Sequence, residues 1–260
     1  MRRLATRTIA TLLAGSLLFA CSLDYLSSDY GTAPGGTTSD GGADADGGGP
    51  EEPSCSEVGD PRPTFCDYFD RSIDPGWKVS QARGGSVTRR PEGDLLIAVR
   101  EATQRPGAVA CLMKELSESA NSVRISFFID APESIGKTQQ PVVTLELPHD
   151  GKLTQVSLLL SDDGTRVKER EVLGDGGGAP TGYSLKTKLP SGGVTVDMTL
   201  TLGTAPKLDI AYNTIGEFSH ALVSSLPRAP HLRVYFGPQE AEVPTGAWNL
   251  HIDNVDIFAE

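Results

Sequence analysis

The chain has 260 residues, 38% of them hydrophobic and only 6% aromatic, with a formal net charge of −11 at pH 7. That length supplies one sizeable core. So acidic a balance argues against nucleic acid or an anionic membrane surface as a partner, because both would repel it.

Residues 1–20 read as a lipoprotein signal peptide. Arg2, Arg3 and Arg7 precede an apolar run from Ile9 to Ala20 that is too short to remain in a bilayer. The run closes on Leu18-Phe19-Ala20-Cys21, which resembles the lipobox of bacterial lipoproteins. Cys21 is therefore the expected lipidated residue, with a plain signal-peptidase cut as the alternative. Cleavage would remove three arginines and no acid, taking the net charge from −11 to −14. The expected location is the cell envelope, at the outer membrane facing the periplasm or cell surface, with membrane contact only through acyl chains.

Residues 21–61 hold Cys21 and a linker dominated by Gly, Ser, Thr, Asp and Pro, with almost nothing to bury. Such a segment does not offset its ordering entropy and reads as a flexible tether with an r.m.s. span of about 30 Å. Calcium binding by Asp40, Asp44 and Asp46 is the rival to a solvated spacer. Export implies an oxidising compartment, and with Cys21 lipidated, Cys55, Cys66 and Cys111 remain. Cys55 with Cys66 is the expected pair, closing a short loop at the domain entrance; Cys66 with Cys111 is the rival. The three cysteines lack CxxC spacing and a nearby histidine, which disfavours zinc.

Residues 62–260 read as one all-β domain of strands and turns. Val123, Ile125, Phe127 and Ile129 alternate with polar neighbours, as do Val143, Leu145 and Leu147, then Val156, Leu158 and Leu160. Turns fall at His149-Asp150-Gly151 and Asp162-Asp163-Gly164. The charged stretch RVKEREVL is expected at an edge or on an exposed face. Val194, Val196, Met198, Leu200 and Leu202 make the clearest strand, and Leu232, Val234 and Phe236 make another. In Ile215 to Ser225, Phe218, Ala221 and Leu222 fall at helical spacing, so a short helix competes there. The final stretch, WNLHIDNVDIFAE, changes apolar parity from Trp248, Leu250 and Ile252 to Val255, Ile257 and Ala259. Side chains alternate faces along a strand, so this switch predicts a bulge or a change of buried face at Asp253 and Asn254.

The FCDYFDR entrance with Gly76-Trp77, the strand-only body and the HIDNVDIF ending resemble the concanavalin A-like lectin/glucanase superfamily in its LamG-like form. The resemblance implies a two-sheet antiparallel jelly roll whose first and last strands are neighbours. It also raises glycoside hydrolysis, since the related glucanases place carboxylates in an ExDxE arrangement. That motif is missing here, and Asp253 with Asp256 has the wrong spacing. His149, His220, His231 and His251 are scattered and no GxSxG elbow accompanies them. No catalytic residue is assigned, and the expectation is a non-catalytic recognition module for a glycan or surface protein. A divergent polysaccharide-cleaving enzyme and a structural envelope protein are the alternatives. Relatives of this kind stack sugars on aromatic faces and hold Ca²⁺ with loop oxygens. Trp77, Tyr183 and Tyr235 are the implied sugar-stacking candidates, while Trp248 suits the core; Asp253 and Asn254 are the implied calcium ligands.

Overall fold

Alternation of apolar and polar residues fixes which side of each strand is buried, and the computed structural model pairs the strands accordingly. It describes residues 61–100, 107–117, 119–130, 138–149, 151–172, 181–185, 188–213, 215–223, 226, 231–239, 241 and 247–260, with backbone only at 172, 183 and 184. The expected signal peptide, Cys21, the linker and Cys55 lie outside these residues. The strands are β1 (Phe65–Asp67), β2 (Lys78–Ala82), β3 (Gly85–Arg89), β4 (Leu95–Val99), β5 (Val109–Leu116), β6 (Ser122–Asp130), β7 (Gln140–His149) and β8 (Lys152–Ser161). They continue with β9 (Gly164–Val172), β10 (Thr181–Ser184), β11 (Val194–Thr201), β12 (Lys207–Tyr212), β13 (Gly216–Ala221), β14 (Leu232–Phe236) and β15 (Trp248–Ala259).

Two antiparallel sheets result. Sheet A runs β13-β12-β11-β6-β15-β4-β3, with β1 also paired to β15; sheet B runs β10-β9-β8-β7-β14-β5-β2. The first and last strands are thus neighbours, through Phe65↔Ile257, Cys66↔Asp256 and Asp67↔Val255. One edge of β15 is shared in series. Trp248 to Ile252 pair with β4, Val255 to Ile257 pair with β1, and the register against β6 shifts between Asp253 and Asp256. Asn254 sits at the shift with φ 51°, a left-handed conformation that Asn tolerates better than most residues. The bulge re-aims the strand where its partner changes, so both apolar sets, Leu250 with Ile252 and Val255 with Ile257, reach the core.

The inner faces of the two sheets form one core. An aromatic series crosses it: Phe65 on Trp77, Trp77 on Phe236 and Phe236 on Phe127, edge to face at centroid distances of 5.0, 5.8 and 5.2 Å. Tyr212 of sheet A donates its hydroxyl across the core to Thr165 Oγ1 of sheet B at 3.1 Å. Gly237, just after β14, has φ 86°, and a Cβ there would run into the Ala110 carbonyl, so the close passage of this loop over β5 requires glycine.

Three of the alternatives left open by the sequence fall away. The segment open to a helix is β13, because Lys207 to Tyr212 offers it a full antiparallel partner from Ala221 back to Gly216. The charged RVKEREVL stretch is not an edge, since β10 pairs outside it. Its alternation does leave Arg166, Lys168 and Arg170 on the exposed face. Cys66 is disulfide-bonded and Cys111 is a buried thiol outside any disulfide, so Cys66 and Cys111 are not joined. The partner of Cys66 lies outside the described residues.

Candidate functional site

Cross-strand partners share a face, so the registers map the outer side of sheet B. One row reads Glu115 (β5), Arg233 (β14), Glu146 (β7), Gln155 (β8) and Arg170 (β9). The next reads Lys78 (β2), Met113, Tyr235, Thr144, Ser157 and Lys168. Leu159 and Arg166 follow in a third. The opposite parity of the same strands carries Val143, Leu145, Val156, Leu158 and Val167 into the core.

The first row is tied together by polar contacts. Glu146 is only 5% exposed although it is on the outer side. Its Oε1 accepts hydrogen bonds from Gln155 Nε2 at 2.8 Å and Gln239 Nε2 at 3.0 Å, while Oε2 faces Arg233 Nη1 at 3.9 Å. Arg233 Nε also faces Glu115 at 3.9 Å, and Glu115 faces Lys78 at 3.9 Å. In the second row Thr144 and Ser157 share a hydroxyl hydrogen bond of 2.9 Å. The sequence gives a local signal for this cluster in TLEL, a carboxylate in the middle of an otherwise apolar strand. Without the identity of the facing strands, Glu146 could not be joined to Arg233, Gln155 or Gln239.

The two outer faces differ in charge. That of sheet B carries Lys78, Arg166, Lys168, Arg170 and Arg233 against Glu115 and Glu146. That of sheet A carries Asp130, Asp197, Asp209, Glu217, Asp253 and Asp256 against Arg124 and Lys207. Tyr68 donates its hydroxyl to Asp256 at 3.1 Å, and burial together with that carboxylate pushes the phenol up to about 12. Asp94 is pulled up by burial, but hydrogen bonds from Arg90 (2.6 and 2.7 Å) and His251 (2.9 Å) outweigh it and hold the carboxyl below its usual range.

The residues singled out from the sequence do not converge. Trp77 is 5% exposed; its ring packs between Phe65 and Phe236 and its indole N–H donates to Asp67 Oδ2 at 2.9 Å, so it cannot stack a sugar. Tyr235 has the outer parity but is 3% exposed, buried in a small cluster with Val109, Cys111 and Met113. Tyr183 stands opposite Val167 in β10, and its side chain lies outside the described residues. Asp253 and Asn254 occupy the bulge on sheet A, where Asp253 Oδ1 accepts from the Asn254 N–H at 2.8 Å. Burial and the nearby carboxylates Asp70, Asp94 and Asp67 raise the Asp253 carboxyl. Among the described residues no group of three or more His, Cys, Asp or Glu side chains is gathered to hold a metal.

No family model matches the chain, and no curated protein does. Solved structures do resemble it. An endo-β-1,4-glucuronan lyase from the fungus Trichoderma reesei superposes over 76% of this chain and 96% of its own, with TM-score 0.58 and 9% identity. An immunostimulatory antigen and pseudo β-1,3-glucanase of Mycobacterium tuberculosis covers 76% and 99%, with TM-score 0.53 and 12% identity. The alginate lyase vAL-1 from Chlorella virus covers 71% and 93%, with TM-score 0.50 and 12% identity. At such identities the likeness establishes the fold, a concanavalin A-like jelly roll, and nothing of the chemistry.

Proposed function

We propose that this jelly roll is a non-catalytic glycan-recognition module, held at the cell envelope by a lipid on Cys21, with the outer face of sheet B as its binding surface. The observation that carries the reading is the Glu115–Arg233–Glu146–Gln155 row, in which the buried Glu146 holds Gln155 and faces Arg233, so that Glu115, Arg233 and Gln155 form a fixed polar surface of donors and acceptors for sugar hydroxyls. The polysaccharides named for the similar structures agree with it by analogy of fold. A glycan array probed with the full chain, with and without Ca²⁺, tests it. Binding to a defined glycan class that Arg233→Ala or Gln155→Ala weakens by about tenfold is the expected result. No glycan bound under either condition sinks the reading.

A polysaccharide-cleaving enzyme is the second reading, favoured by two carboxylates, Glu115 and Glu146, in one row. Against it, the Arg233 guanidinium fills the space between them, where a scissile bond would have to lie. Release of reducing ends or unsaturated products from a polysaccharide panel, abolished by Glu146→Gln, would establish cleavage.

A further inference from the structure

We propose that the glycan is an anionic polysaccharide, gripped along β9 by Arg166, Lys168 and Arg170; this rests on the glycan-recognition reading above and names its ligand class. Several surface cations of this chain stand beside acids, as Lys152 does with Glu171 at 3.1 Å, Lys207 with Asp209 at 2.9 Å and Arg90 with Asp94 at 2.6 Å. Arg166 and Arg170 do not. Neither guanidinium has a carboxylate within ion-pairing distance among the described residues, and the Arg170 Nε is buried without a hydrogen-bond partner. Both residues are half-buried, so the charges are positioned at modest entropic cost.

The spacing is regular. Same-face residues on a strand recur about every 6.7 Å, so the three cations form a line of about 13 Å. Gly182 of the neighbouring β10 adds a shelf, since a Cβ there would lie 2.7 Å from Arg166 Nε and Nη2; the guanidinium rests over bare backbone. The acidic outer face of sheet A does not cancel this row. Packed sheets are about 10 Å apart, roughly one Debye length at 0.1 M salt, so each outer face presents its own sign locally. A polymer with regularly placed carboxylate or sulfate groups complements such a line through charge-assisted hydrogen bonds. Nucleic acid fits worse. Single strands need exposed aromatic platforms, whereas Tyr235 is buried at 3% exposure.

The test measures binding of the full chain to polygalacturonate, dextran sulfate and single-stranded DNA at about 50 and about 300 mM NaCl, beside the neutral glycans of the array. Polygalacturonate against dextran sulfate distinguishes carboxylate from sulfate as the recognised group. Expected are binding to at least one of the two, weakened about tenfold or more by the higher salt, and a further loss of about tenfold in Arg166→Gln/Arg170→Gln with an unchanged melting temperature. Arg124→Gln/Lys207→Gln removes the same charge from the outer face of sheet A and should leave binding unchanged. Binding to neutral glycans alone overturns this inference and leaves glycan recognition standing. Equal loss in both double variants, or equal affinity for DNA, overturns it by reducing the effect to net charge. Failure to bind any polysaccharide, anionic or neutral, removes both readings.

Discussion

Asp67 shows how one polar residue decides the fate of an aromatic. Its carboxylate, only 8% exposed, accepts from the Phe69 and Asp74 amides and from the Trp77 indole, each at 2.9 Å. Phe69 is held at φ 55° and buried to 1% by that arrangement. Trp77→Phe therefore leaves part of a buried carboxylate unsatisfied and should cost about 2 kcal/mol in chemical denaturation. Nothing in the sequence marks residues 67 and 77 as partners, which is why Trp77 stands there among the sugar-stacking candidates. Asp253 gives a prediction in pH. Burial and neighbouring acids raise its folded carboxyl above the ordinary 3.8, so the folded state binds its proton more readily than the unfolded state. Its contribution to stability is then present below about 3.8 and lost as pH rises through the folded value. Asp253→Asn, which keeps the acceptor for the Asn254 amide, should raise Tm at pH 7, and the gain should fade below pH 3.8. A gain independent of pH would contradict this account.

Within elements, parity is the controlling variable. The switch in WNLHIDNVDIFAE was legible because apolar residues on both sides of Asn254 had to be buried, and burial can be read from a pattern. Asn254→Gly should leave stability within about 0.5 kcal/mol, whereas Asn254→Val should cost about 1–2 kcal/mol, because a β-branched side chain resists positive φ. Deleting Asn254 takes out the extra residue and sets Val255 opposite Phe127 in unbroken alternation with Ile252, so Val255 and Ile257 stay on the buried face and cooperative melting should survive the deletion. Periodicity failed where the segment was short. Phe218 and Leu222 fit a helix, but β12 supplied a hydrogen-bonding edge, and the partner decided the outcome. It failed differently at Tyr235. The alternation with Val234 and Phe236 gave the right face, but that face holds its own apolar cluster, so an outward parity did not mean an exposed ring.

For the whole molecule, two antiparallel sheets with adjacent end strands could be read from strand spacing and the two end motifs, whereas the segregation of charge between the outer faces could not. It depends on which strands neighbour one another, information spread over contacts such as Arg233↔Glu146 that are far apart in the chain. The thiol chemistry is also a property of the whole. Cys111 is 0% exposed, so maleimide should label it only after denaturation. Reducing the Cys66 disulfide should lower stability by about 2–4 kcal/mol by denaturant titration. The place of β15 in sheet A has a consequence in time. It lies between β6 on one side and β4 and β1 on the other, and it is made after all three. Until it emerges, β4 and β6 wait with open edges that nothing else in the sheet order can join, and the sheet exists as two unjoined halves. A chain that stops before Trp248 should therefore be a ready substrate for proteases and a seed for aggregation, while the complete chain closes its seam in one cooperative step.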